Sequence, residues 1–141
     1  MKKIVYSLDN IESVVQEFMQ DTRGAQIITF TGGLGAGKTT FIRCMANALG
    51  VQEVVTSPTF TYFNMYHSAD GRMVYHFDLY RLKSLVEFEA AGFFEYLYQP
   101  DSIALIEWPE IALGSLRRHV CHVALSVVSE NERLLTYTYI I

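Results

Sequence analysis

The sequence predicts an α/β fold: a mixed β-sheet layered between helices, with antiparallel additions and a C-terminal hairpin. Three observations carry this. Ala25 to Thr31 is an apolar and β-branched run interrupted only by Gln26, followed by a glycine-rich turn at 32–37 and an amphipathic stretch. Ser102 to Glu107 is a second apolar run. Val120 to Val128 and Leu134 to Ile141 alternate instead, with Ser129 to Glu132 between them. Unbroken apolar runs mark strands buried on both faces, and alternation marks half-covered antiparallel strands.

The elements follow in order. Residues 2–7 read as a short strand. Asp9 offers a helix N-cap with Glu12 three residues on, and Ile11, Val14, Val15, Phe18 and Met19 recur at helical spacing until Arg23-Gly24. After the strand at 25–31 and its turn, Phe41, Ile42, Met45, Ala48 and Leu49 form a helical stripe, closed by Gly50 as the residue past the C-cap. Thr56 to Asp78 is rich in Thr, Tyr, Phe and Val. Asp70-Gly71 breaks it as a hairpin turn would. Ser84 to Leu97 reads as helix in two pieces around Gly92, and Trp108-Pro109 ends the strand at 102–107.

With 141 residues, the chain suits one domain spanning 1–141, and it contains no repeat or linker-like tract. Half of the residues are apolar and 18% are charged, which excludes disorder. The longest unbroken apolar run is four residues, Ile103 to Ile106, so no membrane-spanning helix is expected. No secretory signal is expected either. Cys44 and Cys121 stand far apart without a CxxC and read as buried thiols in a reducing compartment, the cytoplasm. The net charge of −4 argues against a chain that grips nucleic acid alone. The one dense basic cluster, Arg117-Arg118-His119, reads as a solvated turn.

Gly32-Gly33-Leu34-Gly35-Ala36-Gly37-Lys38-Thr39 matches G-x-x-x-x-G-K-[ST] without a gap. A chain of this composition would produce about 0.002 such matches by chance. The preceding strand and following helix are the context the motif requires, and the fold becomes a three-layer P-loop NTPase-like domain. Glycines let backbone N–H groups close on an anion where a Cβ would block the approach. The helix starting near Lys38 turns its positive end toward phosphate. Gly33, Leu34, Gly35, Ala36 and Gly37 therefore form the cradle. Lys38 reaches the β- and γ-phosphates, Thr39 ligates Mg²⁺, and Thr40 donates to the α-phosphate.

A second buried strand ending in a carboxylate usually completes such a metal site. Glu107 fits, directly or through water. Trp108 beside it either stacks near the nucleotide or packs in the core. Asp78 closes Met73-Val74-Tyr75-His76-Phe77-Asp78, where His76 and Asp78 share one face with Val74. It could orient the attacking water, accept its proton or hold Mg²⁺; alternatively it caps a helix or pairs with Arg81. His119 and His122 fall in a strand on opposite faces with no third ligand. Met65, Met73 and the many Tyr and Phe read as core.

Guanine recognition is disfavoured, because no Asn is followed by Lys. A small-molecule kinase needs an acceptor pocket and often an arginine-bearing lid, and no long insertion follows the loop. A nucleotide-gated module that binds ATP without hydrolysing it remains open beside an ATPase. The arginines do not cluster near the motifs, Arg81 being the nearest, so slow hydrolysis is expected from the chain alone.

Four segments together narrow the choice: Gly35-Ala36-Gly37-Lys38-Thr39-Thr40, Ser57-Pro58-Thr59-Phe60, Tyr75-His76-Phe77-Asp78-Leu79-Tyr80-Arg81-Leu82 and Leu105-Ile106-Glu107-Trp108-Pro109. In this order and at these distances they resemble the bacterial TsaE family (older name YjeE), the ATPases of tRNA threonylcarbamoyladenosine synthesis. The resemblance implies ATP as substrate and Mg²⁺ held by Thr39 and Glu107. It implies a catalytic set of Asp78, Lys38 and Thr59, with Thr59 in a switch-like loop near the γ-phosphate. It also brings Trp108, Glu110, Arg133 and the segment Ser7 to Ile11 toward the nucleotide. The implied partners are TsaD, which modifies adenosine 37 of ANN-decoding tRNAs, and its companion TsaB, with tRNA met only indirectly. The family's ATPase would reset or activate that complex between turnovers. Two positions depart from the pattern. Gly33 stands where an acidic residue is common, and Phe60 where Tyr is.

Overall fold

In the computed structural model of the chain, residues 1–58 and 61–141 are described. One seven-stranded sheet organises them. Its strands are β1 (Lys2–Tyr6), β2 (Ile27–Thr31), β3 (Phe63–His67), β4 (Met73–Asp78), β5 (Ser102–Glu107), β6 (Val120–Val127) and β7 (Arg133–Ile140), in the order β1-β7-β6-β2-β5-β4-β3. β6, β2, β5 and β4 are mutually parallel. β7 is antiparallel to both β6 and β1, and β3 is antiparallel to β4.

Alternation along the central strands divides the core into two layers. Ile28 and Phe30 of β2, Ile103 and Leu105 of β5, and Val74 of β4 pack under α1 (Ile11–Asp21) and α2 (Lys38–Ala48). Ile27, Ala104, Ile106, Tyr75 and Phe77 point the other way, onto Phe88 of α3 (Leu85–Ala90) and onto Phe93 and Leu116. The expected three-layer α/β arrangement with its C-terminal hairpin is therefore present. β2 is buried from Ile27 to Phe30, as its apolar and β-branched composition predicts.

Several local expectations hold for the reasons given. Gly50 adopts φ +77°, and Val51 and Gly50 donate to the Ala46 and Asn47 carbonyls, which closes α2 with a Schellman motif. Gly71, at φ +87°, turns the β3–β4 hairpin. Gly92, at φ +79°, separates α3 from a 3₁₀ turn at Phe93–Tyr96.

Others need correction. The first helix is capped by Asn10, not Asp9. The Asn10 side chain turns back to accept from the Ser7 amide at 2.8 Å, so it tightens the incoming turn and leaves the helix's first amides alone. Cys121 is buried but Cys44 only half so, because Cys44 lies at the margin of the α2 stripe. His119 is not in a strand. Its backbone is left-handed, φ 51°, just before β6, so the two-face reading fails for it. His122 is in β6, where Nδ1 lies 2.8 Å from the Thr29 hydroxyl and burial lowers its pKa.

A candidate phosphate-binding cavity

The direction of the strands places the site. β1, β2, β4 and β5 all run the same way, so their carboxyl ends lie along one edge, and β7 starts at that edge because it runs opposite. Tyr6, the loop after Thr31, Asp78, Glu107 and Arg133 occupy those ends. There they open onto a cavity of about 820 Å³. Its wall includes every residue from Gly33 to Thr40, together with Asp78, Glu107, Trp108, Arg133, Arg81 and Ser57.

The glycine loop is built by backbone conformation. Gly32, Gly35 and Gly37 have φ of +146°, +77° and +98°. A Cβ at Gly32 would collide with the Leu125 carbonyl oxygen. Gly37 is the N-cap of α2 and has no side chain to occupy the first helical amides. Those amides have no acceptor within the helix, so they and the helix dipole are directed at whatever anion the cavity holds.

Lys38 is 6% exposed, and its ammonium is folded back onto the loop. It donates to the Gly32 carbonyl and to the Gly33 carbonyl at 3.1 Å, and it lies 3.8 Å from the centroid of the Trp108 ring. Burial lowers its pKa, against the opposing pull of Glu107, Asp78 and Glu110. Trp108 reaches this position through a left-handed backbone, φ 53°, directly after β5, and its ring packs 4.8 Å from that of Tyr80. Trp108 thus lines the cavity.

Glu107 is 2% exposed and its two oxygens are divided. Oε1 accepts from the Thr39 hydroxyl at 3.0 Å, and Oε2 lies 2.6 Å from His76 Nε2. Asp78 is the register partner of Glu107 across β4 and β5. Its Oδ2 accepts from the Ser57 hydroxyl and its Oδ1 from the Tyr80 amide, both at 3.0 Å. One hydroxyl and one buried carboxylate form an all-oxygen pair that suits a hard cation. Among the described residues no three His, Cys, Asp or Glu converge, so an ion here would take its remaining ligands from water and phosphate.

The other expected residues divide. Arg133 lines the cavity beside the loop, with Nη2 3.4 Å from the Gly35 carbonyl. Two arginines, Arg81 and Arg133, thus share the wall, although in sequence they stand far apart. Ser7, Leu8, Asp9 and Ile11 also line it. Glu110 is exposed and is not among the residues of the wall, and its charge pulls the pKa of Lys38 upward. Thr59 and Phe60 lie outside the described residues. Sequence reasoning missed Tyr6, Tyr80, Glu130 and Asn131. The rule that ligands gather at the carboxyl ends of parallel strands would have pointed to Tyr6, the last residue of β1.

Fold and site together define a P-loop-like α/β domain. The particular family follows from comparison. Residues 5–135 match the family described as threonylcarbamoyl adenosine biosynthesis protein TsaE. A tRNA threonylcarbamoyladenosine biosynthesis protein TsaE from Treponema pallidum is 39% identical over 111 residues, covering 78% of this chain and 79% of that protein. One of the same description from Haemophilus influenzae is 47% identical over 95 residues, 67% of this chain and 59% of the relative. The crystal structure of Bacillus subtilis YdiB superposes with a TM-score of 0.72 at 25% identity, over 99% of this chain and 87% of that one. The chain belongs to the TsaE family, and so to the biosynthesis of threonylcarbamoyladenosine in tRNA. No helix among the described residues is long and apolar enough to cross a membrane.

Proposed function

We propose that this chain is a Mg²⁺-dependent ATPase that serves the TsaD–TsaB pair in the cytoplasm and meets tRNA only through those partners. The single observation that carries the reading is the convergence of the Gly33–Thr40 loop, the Thr39–Glu107 pair and Asp78 on one cavity.

The residues divide the work. The loop amides and the first turn of α2 bind the phosphates. The Lys38 ammonium exchanges the Gly32 and Gly33 carbonyls for phosphate oxygen, which returns to it the solvation that burial removed. Thr39 and Glu107 would hold the cation, which when bound would neutralise charge on the phosphates. Asp78, in the cavity wall, orients the attacking water or accepts its proton, while Ser57 and the Tyr80 amide fix its carboxylate. Arg81 and Arg133 add positive charge to the wall. Docking on the enzyme pair instead of on tRNA accords with a net charge of −4.

Phosphate release from ATP, measured with Mg²⁺ alone and then with TsaB and TsaD added, tests this reading. Slow release that the partners accelerate, and that Lys38→Ala abolishes, is expected. Bound ATP that stays intact in the full complex would instead identify a gated binding module.

A further inference from the structure

His76 is fully buried in β4, and its one hydrogen bond among the described residues is made by Nε2 to Glu107 Oε2, at 2.6 Å. Its Nδ1 is buried without a partner among the described residues. A carboxylate oxygen accepts, so in this contact the hydrogen sits on Nε2.

That nitrogen faces the oxygen of Glu107 that Thr39 does not use. Held by Thr39 alone, the carboxylate could turn about its last side-chain bond. With His76 on Oε2, Oε1 is fixed beside the Thr39 hydroxyl. We propose that His76 is a positioning residue that sets the Glu107 carboxylate so that Oε1 and Thr39 Oγ1 face a divalent cation together. This rests on the Mg²⁺–nucleotide reading above. Groups that hydrogen-bond a metal-ligating carboxylate typically contribute about 10- to 100-fold in metal affinity.

The test uses Mn²⁺ as the probe ion, with free Mn²⁺ followed by electron paramagnetic resonance in the presence of saturating ADP. His76→Leu is expected to weaken Mn²⁺ binding about 10- to 100-fold while leaving ADP affinity in EDTA unchanged. His76→Gln, whose amide N–H reaches the same oxygen, is expected to recover most of the loss. A folded His76→Leu that binds Mn²⁺ within about twofold of wild type overturns the positioning role. A wild-type chain whose ADP complex takes up no Mn²⁺ overturns the metal reading beneath it. Should His76→Leu fail to fold, ¹⁵N-histidine NMR of the wild type decides. The expected result is an Nε2–H tautomer whose proton resonance shifts when Mg²⁺ is added to the ADP complex. An Nδ1–H tautomer, or an Nε2–H signal indifferent to the ion, overturns the proposal.

Discussion

Asp78 and Glu107 are register partners on adjacent parallel strands, yet their carboxylates keep different company. Glu107 is buried between the Thr39 hydroxyl and His76, whereas Asp78 is only half-buried and is held by Ser57 and the Tyr80 amide. One level of the sheet thus presents a fixed oxygen next to the loop threonine and a second, more accessible one beside it.

The two should separate in kinetics. Asp78→Asn keeps an oxygen for the Tyr80 amide, so folding survives, but the group that handles the water's proton is lost. Turnover should fall about 10²- to 10⁴-fold at an unchanged Mg²⁺ requirement. Glu107→Gln should instead raise the Mg²⁺ concentration for half-maximal turnover by about tenfold or more. Metal titrations of phosphate release for both variants check this, and identical profiles would refute the division of labour.

Neighbouring glycines should behave oppositely. Gly32 has φ +146°, and its added Cβ would meet the Leu125 carbonyl, which is backbone and cannot step aside cheaply. Gly32→Ala should cost about 2 kcal/mol or more. Gly33 has open space around its Cβ direction and no positive φ. Gly33→Asp, which places an acid where the family commonly has one, should shift stability by no more than about 0.5 kcal/mol. Urea unfolding midpoints of the two variants provide the comparison, and a tolerated Gly32→Ala would contradict the close approach of β6 to the loop.

The thiols report on the core. Burial pushes Cys121 up to about 12, and it also raises Cys44, which is only half-buried. The thiolate is the reactive form. A disulfide reagent near neutral pH should therefore label Cys44 slowly and Cys121 only after unfolding. Mass spectrometry of peptides from the native protein should show Cys44 labelled first. Equal labelling of both would mean that β6 is not covered as described.

Much of this was legible in the sequence because strand burial and glycine punctuation are local signals. Ile27 to Phe30 and Ile103 to Ile106 announce parallel strands by composition alone, and the loop between Gly32 and Thr39 announces itself by spacing. The spacing of Asp9 and Glu12 points to Asp9 as the cap, whereas the cap lies one residue later, at Asn10, whose side chain is drawn back to the Ser7 amide, a turn contact that a capping pattern does not contain. Arg133 and Tyr6 meet the loop only because β1 and β7 pair at the far side of β6, a relation fixed by strand order that no local window contains. For the same reason the division of the Glu107 carboxylate between Thr39 and His76, partners 68 and 31 residues away, emerges only in three dimensions.

Lys38 is the last and most demanding case. Burial holds its pKa below the ordinary 10.5, although Glu107, Asp78 and Glu110 pull the other way. Between its folded value and 10.5 the unfolded chain binds a proton that the folded chain does not. Stability therefore rises with pH across that window, and below it the buried charge opposes folding in full. Lys38→Met removes the titration. The unfolding free energy of Lys38→Met minus that of wild type should thus decrease as pH climbs from about 7 toward 10.5. Phosphate in the cavity supplies the missing counter-charge and favours the protonated amine, so nucleotide affinity of the wild type should fall over the same window. Denaturant unfolding of both proteins at a series of pH values, with and without ADP, measures both trends. A stability difference that stays flat with pH would show that the Lys38 ammonium is as well solvated by the Gly32 and Gly33 carbonyls and the Trp108 ring as it is by water.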